Sequence, residues 1–518
     1  MTFERKDVSK LGSDWSDTLV WYAKAVGKLQ ERPLASRTSW RFLAAMHGFN
    51  EVLWSAHGYY SSGETLPSDS DKARFWDQCQ HQSWYFLPWH RGYLASFEAI
   101  VRSAVVELGG PADWALPYWN YFDPNSRSVP PAFLQKTMPD GSPNHLFVEA
   151  RYGDGDGNFI VLPEDVSLNA LKDHAFIGGN AGGNTGFGGP DTKFNHGKGV
   201  NGHLESDPHN TVHGLVGGLA DPAHEEDRTT YGLMSIPATA ALDPIFWLHH
   251  ANIDRLWEVW RKRDPQNLDP DQETWLKGPV DRKFIVPDAD GEGITFTASQ
   301  MLDTTAAPLN YTYQDTSDPL AGSTRKKVRL TDLRLLSDAP MVNFMDIKSA
   351  GGQVATELLG ANASTIKLAG GVSHTRVTLD KASADKVNNS FDNVKLFSTT
   401  PKEPDRVFLN LENIRGKNDA AVFYVYVNVP NGDKPQDHPE NKVGVLSLFG
   451  VSDASKTDSP HGGAGITQVF EITSIVDNLQ LDESQLSDTL QVQFVARNTV
   501  KPEHDITVER VSVFRESL

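Results

Sequence analysis

Along the first half of the chain the apolar residues return every three or four positions; in the last third they alternate. From Pro88 to Leu108, Trp89, Tyr93, Phe97, Ile100 and Val101 follow a helical period, and proline suits the first turn of the helix this predicts. Asp243 to Arg263 opens on Asp-Pro, an N-cap followed by proline. It then carries Ile245, Phe246, His249, Ile253, Leu256, Trp257 and Trp260 along one side. Ser39 to Trp54 predicts a third helix, with Trp40, Leu43, Met46 and His47 on one face. Between Phe176 and His203 the run GGNAGGNTGFGGP breaks every period. It predicts a loop wrapped over the helices, and loops of this length inside compact domains tend to carry function.

After about residue 325 the period becomes two. Strands are predicted at Arg406–Leu411, Ala421–Val429, Lys442–Leu448, Ile466–Ile475, Leu490–Val495 and Ile506–Phe514, each bounded by turn residues. Helices followed by strands read as separate domains rather than βαβ units. The fold expected is an α-helical bundle domain (1–320), a linker (321–361) and an all-β sandwich (362–518), the break falling in the Ser/Asp/Pro-rich stretch Asp315–Ser323.

Composition narrows the class. With 518 residues, 39% hydrophobic, and 25 Phe, 13 Tyr and 13 Trp, the chain can bury a large core and is neither disordered nor fibrous. A formal charge of −19 repels phosphate backbones and anionic lipid, which argues against nucleic acid as a partner. Cys79 is the single cysteine, so no intrachain disulfide can form, in keeping with a reducing compartment. The segment Met1–Leu11 is charged and lacks a signal-peptide apolar core. No run approaches the roughly 18 apolar residues of a membrane span. A cytoplasmic protein without a membrane partner is expected.

Histidines supply the candidate chemistry. His209 and His213 lie four apart in PHNTVHG, which puts both imidazoles on one face of a helix. His250 lies in FWLHHANIDRLW, His90 in FLPWHRGYL, His81 nine residues before it, and His47 in the apolar stripe of the first helix. A lone histidine on an apolar face is usually a core residue bonded to a carbonyl. Six of them in the stripes of one domain would each need a partner in a dry core. A metal satisfies them together, and imidazoles without thiolates suit copper, zinc or iron. Two sets of three would make a dinuclear site of the kind helical bundles hold.

The segments MHG (46–48), CQHQSWYFLPWHRGYLASFE (79–98), PHNTVHGLVGG (208–218) and DPIFWLHHANIDRLW (243–257) resemble the two copper signatures of the tyrosinase, catechol oxidase and haemocyanin family, the type-3 copper proteins. Tyr311-Thr312-Tyr313 resembles the tyrosine motif closing the family's catalytic domain, and the C-terminal strands resemble the β domain of latent polyphenol oxidases. The resemblance implies His47, His81 and His90 as ligands of the first copper, CuA, and His209, His213 and His250 as ligands of the second, CuB. His57 also precedes His81 and is the rival for the first position. In the His249-His250 doublet the family pattern selects the second.

Further implications follow from the same resemblance. Two coppers would activate O2, the co-substrate, for ortho-hydroxylation of tyrosine-like monophenols and oxidation of catechols to quinones. Glu205 and Asn210 match the family's pair that holds a deprotonating water. Pro237 stands where many plant catechol oxidases carry a bulky gate, Gly214 follows the fifth ligand without obstructing it, and Phe246, Trp247 or the Gly-rich loop could narrow the entrance instead. Cys79, two before His81, matches the cysteine that forms a thioether with that histidine. The C-terminal domain is expected to act as a lid over the copper site. The competing readings are a catechol or o-aminophenol oxidase without monophenol activity, a haemocyanin-like O2 carrier, and a structural helical protein; a homo-oligomer is left open.

Overall fold

The computed structural model describes residues 2–153, 155, 159–195, 199–220, 227–321, 355–397, 404–457, 463–481 and 485–517. Its helical part is organised around Phe86–Glu107, which packs against Asp17–Glu31 on one side and Pro244–Arg263 on another. Both long helices bury nearly their whole circumference, so aromatics fill the gap between them. Trp247 stacks on Phe97 with centroids 3.5 Å apart, and Trp40 closes the group edge-on. Asp243 caps the Pro244–Arg263 helix by accepting the Ile245 N–H at 3.0 Å, as its Asp-Pro start implies.

The helix expected over Ser39–Trp54 is broken into Trp40–His47 and Glu51–Ala56. Gly48 ends the first, and the Asn50 side chain caps the second through the Leu53 N–H. A Cβ at Gly48 would sit 2.9 Å from the Ala238 Cα, so the break lets another segment come close to His47.

The N-terminal strand Phe3–Arg5 pairs in parallel with Tyr311–Tyr313. Arg5, Arg91, Tyr311 and Tyr313 all converge on the buried Asp254 carboxylate. Burial alone would raise the pKa of Asp254, but Arg91 and Arg5 outweigh it and hold the group below its ordinary value. This knot fixes both long helices against the end of the domain.

The Gly-rich stretch is a loop with one short parallel pairing, Ile177–Gly178 with Gly189–Pro190. It buttresses the segment before the long helix: Pro190 O accepts the Trp84 N–H, and the Asn195 amide donates to the His81 and Gln82 carbonyls.

The C-terminal domain is one nine-stranded antiparallel sheet. From edge to edge it runs Lys442–Ser447, Val422–Val427, Thr489–Val500, Gly370–Leu379, Ala355–Ala361, Ile506–Ser517, Arg406–Arg415 and Ile466–Glu471, with Ile366–Leu368 also on Ile506–Ser517. It curls until its edges meet, where the Gln468 side chain donates to Val445 O at 2.8 Å. A single curled sheet around one apolar core therefore stands where two facing sheets were expected. The helices Lys381–Phe397, Val451–Ala454 and Thr473–Leu481 accompany it, the last replacing the end of the strand expected at Ile466–Ile475. Ala355–Ala361 is already a strand, so the sheet starts inside the stretch read as linker; residues 322–354, including Arg325-Lys326-Lys327, lie outside the described residues.

The two domains share an apolar seam, because Val422, Val445 and Phe449 belong to the core of the helical domain. Polar contacts frame it. Arg228 donates to both Asp453 oxygens at 3.0 and 2.9 Å, Tyr424 donates to Asp165 at 2.7 Å, and Glu516 accepts the Asn184 N–H at 2.6 Å.

Candidate metal centre

Five elements and one loop deliver the six histidines to one place. His47 is the last residue of its helix; His90 sits early in Phe86–Glu107, with His81 in the loop before it. His209 lies in the irregular turn Glu205–Asn210, His213 in the helix Thr211–Gly217, and His250 in Pro244–Arg263. His47, His81 and His90 with Cys79 form one buried group, and His209, His213 and His250 with His249 form a second; within each group the potential ligand atoms lie within 4.8 Å of one another. The groups face each other where His90 stacks on His250, centroids 4.5 Å apart at 16°. His57 ends the Glu51–Ala56 helix and belongs to neither group.

Hydrogen bonds fix how four of the rings point. The Nδ1 of His47 donates to Pro237 O at 2.7 Å, that of His90 to Phe86 O at 2.8 Å, and that of His213 to Met234 O at 2.9 Å. His209 Nδ1 meets the Asn210 Oδ1 at 2.9 Å. A proton held on Nδ1 leaves the Nε2 lone pair for a ligand. His213 Nε2 and His250 Nε2 point at each other across 3.2 Å, and His209 Nε2 finds no hydrogen-bond partner among the described residues. Burial first, and then the neighbouring histidines, hold His90, His209, His213, His249 and His250 well below the ordinary imidazole value. Neutral, buried nitrogen donors with converging lone pairs are costly alone and favourable around a metal. With no carboxylate in either group, the donor set suits a dinuclear copper site.

His249 shares the second group, but its ring faces Tyr121, His209 and His213, with its Nδ1 3.4 Å from the Tyr121 hydroxyl. His250 instead touches His90 and His47 across the site. Cys79 Sγ is 3.5 Å from both ring nitrogens of His81 and from His90 Nε2, and burial followed by Glu205 pushes its thiol well up. Glu205 is fully buried and accepts the Gln82 N–H, one residue past His81, at 2.8 and 3.0 Å. Burial pushes its carboxyl up to about 8. Asn210 is engaged with His209.

The expected pocket residues are also placed. Phe246 forms the inner wall, 4.1 Å from the His250 ring and 5.0 Å from His47 between centroids. Gly214 and Pro237 lie against the β domain: Cβ atoms at Gly214 and Gly450 would meet Ser447 Oγ at 3.3 Å and the Pro237 ring at 3.3 Å respectively. One residue of the site escaped the sequence reading. Phe449, which follows the strand Lys442–Ser447, stacks on His213 at 4.2 Å and 19°, with His81 and His209 each 5.9 Å away edge-on. The available signal was Phe-Gly at a strand end, and Gly450 does turn with φ +80°.

Comparison with known proteins places this site among relatives. Residues 37–154 and 168–263 match the profile of the common central domain of tyrosinase, and 355–516 match a domain of unknown function. The chain is 30% identical to a tyrosinase, HcTyr1, of Hahella sp. (strain CCB-MM4), over 96% of this chain and 97% of that protein. It is 26% identical to a chloroplastic polyphenol oxidase of Malus domestica over 72% of this chain, spanning 61% of that protein's length. Among solved structures, latent apple tyrosinase superposes with a TM-score of 0.59 at 20% identity, covering 99% of this chain and 97% of that one. Latent aurone synthase gives 0.57 at 18% identity, covering 99% and 89%; at these identities the likeness is one of fold.

Proposed function

The chain belongs to the tyrosinase family of type-3 copper oxidases, and from that premise we propose that it is a latent tyrosinase, which hydroxylates monophenols ortho to the hydroxyl and oxidises o-diphenols to o-quinones. Two copper ions are the cofactors and O2 the co-substrate. In the proposed ligand sets His47, His81 and His90 hold the first copper, and His209, His213 and His250 the second; the His90–His250 stack supports His250 over His249. When bound, the coppers supply two electrons to O2 and receive two from the phenolic substrate.

The protein's own part is proton handling, positioning and exclusion of water. A monophenol must lose a proton that it holds to a pKa of about 10. The observation that carries the monophenol reading is Glu205, whose carboxyl is pushed up to about 8. Transfer to a base of that strength is uphill by about 2 pKa units, against about 6 for an ordinary carboxylate. Asn210 holds His209 in register while the proton moves. Phe246 keeps the inner wall of the pocket apolar.

Two further features belong to the proposal. Phe449 occupies the face of His213 that a phenolic ring would take, so the β domain acts as a lid with Phe449 as its plug. Cys79 is set to join His81 through a thioether; forming that S–C bond removes two electrons and two protons, which copper and O2 can accept.

A second reading, a catechol oxidase, is favoured by one observation: Asn210 is already engaged with His209, and both Glu205 oxygens accept the same backbone N–H. The test is turnover of a simple monophenol and its matching catechol by copper-loaded protein after limited proteolysis. Oxidation of both supports tyrosinase. Oxidation of the catechol alone sinks the monophenol reading, and oxidation of neither leaves an O2 carrier.

A further inference from the structure

One short strap touches both histidine groups. Leu233–Ser235 forms a single helical turn and Pro237–Ala240 a second, joined at Ile236. The Met234 carbonyl takes the Nδ1 proton of His213, from the second group, and the Pro237 carbonyl takes that of His47, from the first. Three residues of backbone therefore set how far apart one ligand of each proposed set can stand.

The strap is itself held by a buried hydroxyl. Thr239 Oγ1 lies 2.8 Å from Leu233 O and 3.2 Å from Ile236 O. These are the carbonyls of the residues immediately before Met234 and Pro237; the single hydroxyl proton is shared between them, the shorter bond going to Leu233 O, so one side chain ties together the peptides adjoining both histidine-holding groups. Thr239 is 1% exposed, which removes water as a substitute donor. Two glycines clamp the strap from the ligand side. A Cβ at Gly48, just after His47, would come within 2.9 Å of Ala238 Cα, and one at Gly217, ending the His213 helix, within 2.4 Å of Ser235 N. The strap is thus wedged between the ends of the two helices that carry those ligands.

We propose that Thr239 is a positioning residue that sets the spacing of the two coppers through the Met234 and Pro237 carbonyls. The proposal rests on the ligand sets proposed above. Hydrogen bonds to the far nitrogen of a metal-bound imidazole orient the ring, and their loss typically lowers metal affinity about 10- to 100-fold. Here the two bonds sit on one strap, so loosening it changes both sites together and changes their separation.

The test is copper(II) loading of the full chain, read by copper content, EPR and competition for copper with a chelator. Wild-type protein should hold two coppers without an EPR signal; an EPR-visible wild type would overturn the functional reading itself, before the strap is at issue. Thr239→Val, which keeps the shape and loses the hydroxyl, should release copper to the chelator about 10- to 100-fold more readily. Its bound copper should also become EPR-visible, because the pair no longer couples. Thr239→Ser should restore silence. If Thr239→Val fails to fold, Gly48→Ala, which presses on the strap from the His47 side, should produce the same signal. The proposal is overturned if the folded variant stays silent, whatever its affinity, or if Thr239→Ser is as visible as Thr239→Val.

Discussion

Replacing Phe449 by alanine tests the lid with the least disturbance to the rest of the molecule. The ring is 6% exposed, stacks on His213 at 4.2 Å, and belongs to the apolar core of the helical domain. Truncating a buried phenylalanine costs about 3 kcal/mol, transfer and cavity together. Treated as a tethered ligand competing with the phenol, the plug would close about 150-fold less favourably, at 1.4 kcal/mol for each tenfold. The domain should stay docked, since Arg228–Asp453, Tyr424–Asp165 and Asn184–Glu516 do not involve the ring. The assay is catechol oxidation by intact copper-loaded protein, before and after limited proteolysis. Wild type should be strongly activated by cleavage. Intact Phe449→Ala should show a much lower apparent KM than intact wild type, and little further gain on cleavage. If intact Phe449→Ala is no more active than intact wild type while proteolysis activates both equally, the ring is not what blocks the site.

Other outcomes follow from the same contacts. Glu205→Gln should lower monophenol hydroxylation by about 100-fold or more while sparing catechol oxidation, the usual scale of a lost general base; equal loss of both would make the residue structural. Arg228→Ala removes the guanidinium that bridges Asp453 and Asp419 at the seam, a loss of about 1–3 kcal/mol for a partly exposed group, and should raise the activity of intact protein. His250→Ala should abolish oxidation and uncouple the coppers, whereas His249→Ala should keep an EPR-silent pair; the reverse pattern would exchange their roles. Copper-free protein should lose stability in mild acid. The five depressed histidines are neutral when folded and take up protons near 6.5 when unfolded, so stability is complete above that value and falls as pH drops below it. The slope is about 1.4 kcal/mol per pH unit for each, and a thermal midpoint that does not move between pH 7.5 and 5.5 would contradict the burial of uncharged rings.

What could be read from the sequence was whatever local periodicity dictates. The helices bearing His90 and His250 were visible because their apolar faces repeat every three or four residues, and strand Thr489–Val500 because its buried residues alternate. The break at Gly48 was missed because the apolar stripe continues through it; what breaks the helix is the approach of Ala238, a contact between segments nearly two hundred residues apart. The closure of the sheet was hidden for a related reason, since period two gives the faces of strands and not the order in which they pair. The histidines were individually visible, but the Met234 and Pro237 carbonyls that aim them carry no side-chain signal at all. Phe449 was one phenylalanine among 25 until the fold brought it to His213.

The small residues at the mouth of the site answer to two partners at once. Gly214 and Pro237 were read from sequence as leaving room for a phenol, yet in the structure they face Ser447, Val422 and Gly450. A methyl group at Gly214 would touch Ser447 Oγ at 3.3 Å and Val422 at 3.4 Å, tight enough that the seam must yield by a few tenths of an ångström. Ser447 has little freedom to move, because its hydroxyl donates to the Asn210 carbonyl at 2.8 Å, beside His209. On the proposed reading, then, phenol and plug make the same demand on the mouth, since both bring a six-membered ring to the face of His213. A substitution that narrows the mouth against bulky phenols must also loosen the lid. Gly214→Val should accordingly show higher activity than wild type as intact protein on a small catechol, and lower activity than wild type after proteolysis on a bulky one. If it remains as latent as wild type, the β domain is held by its polar frame alone, and the fit of residue 214 to the seam plays no part in keeping the enzyme closed.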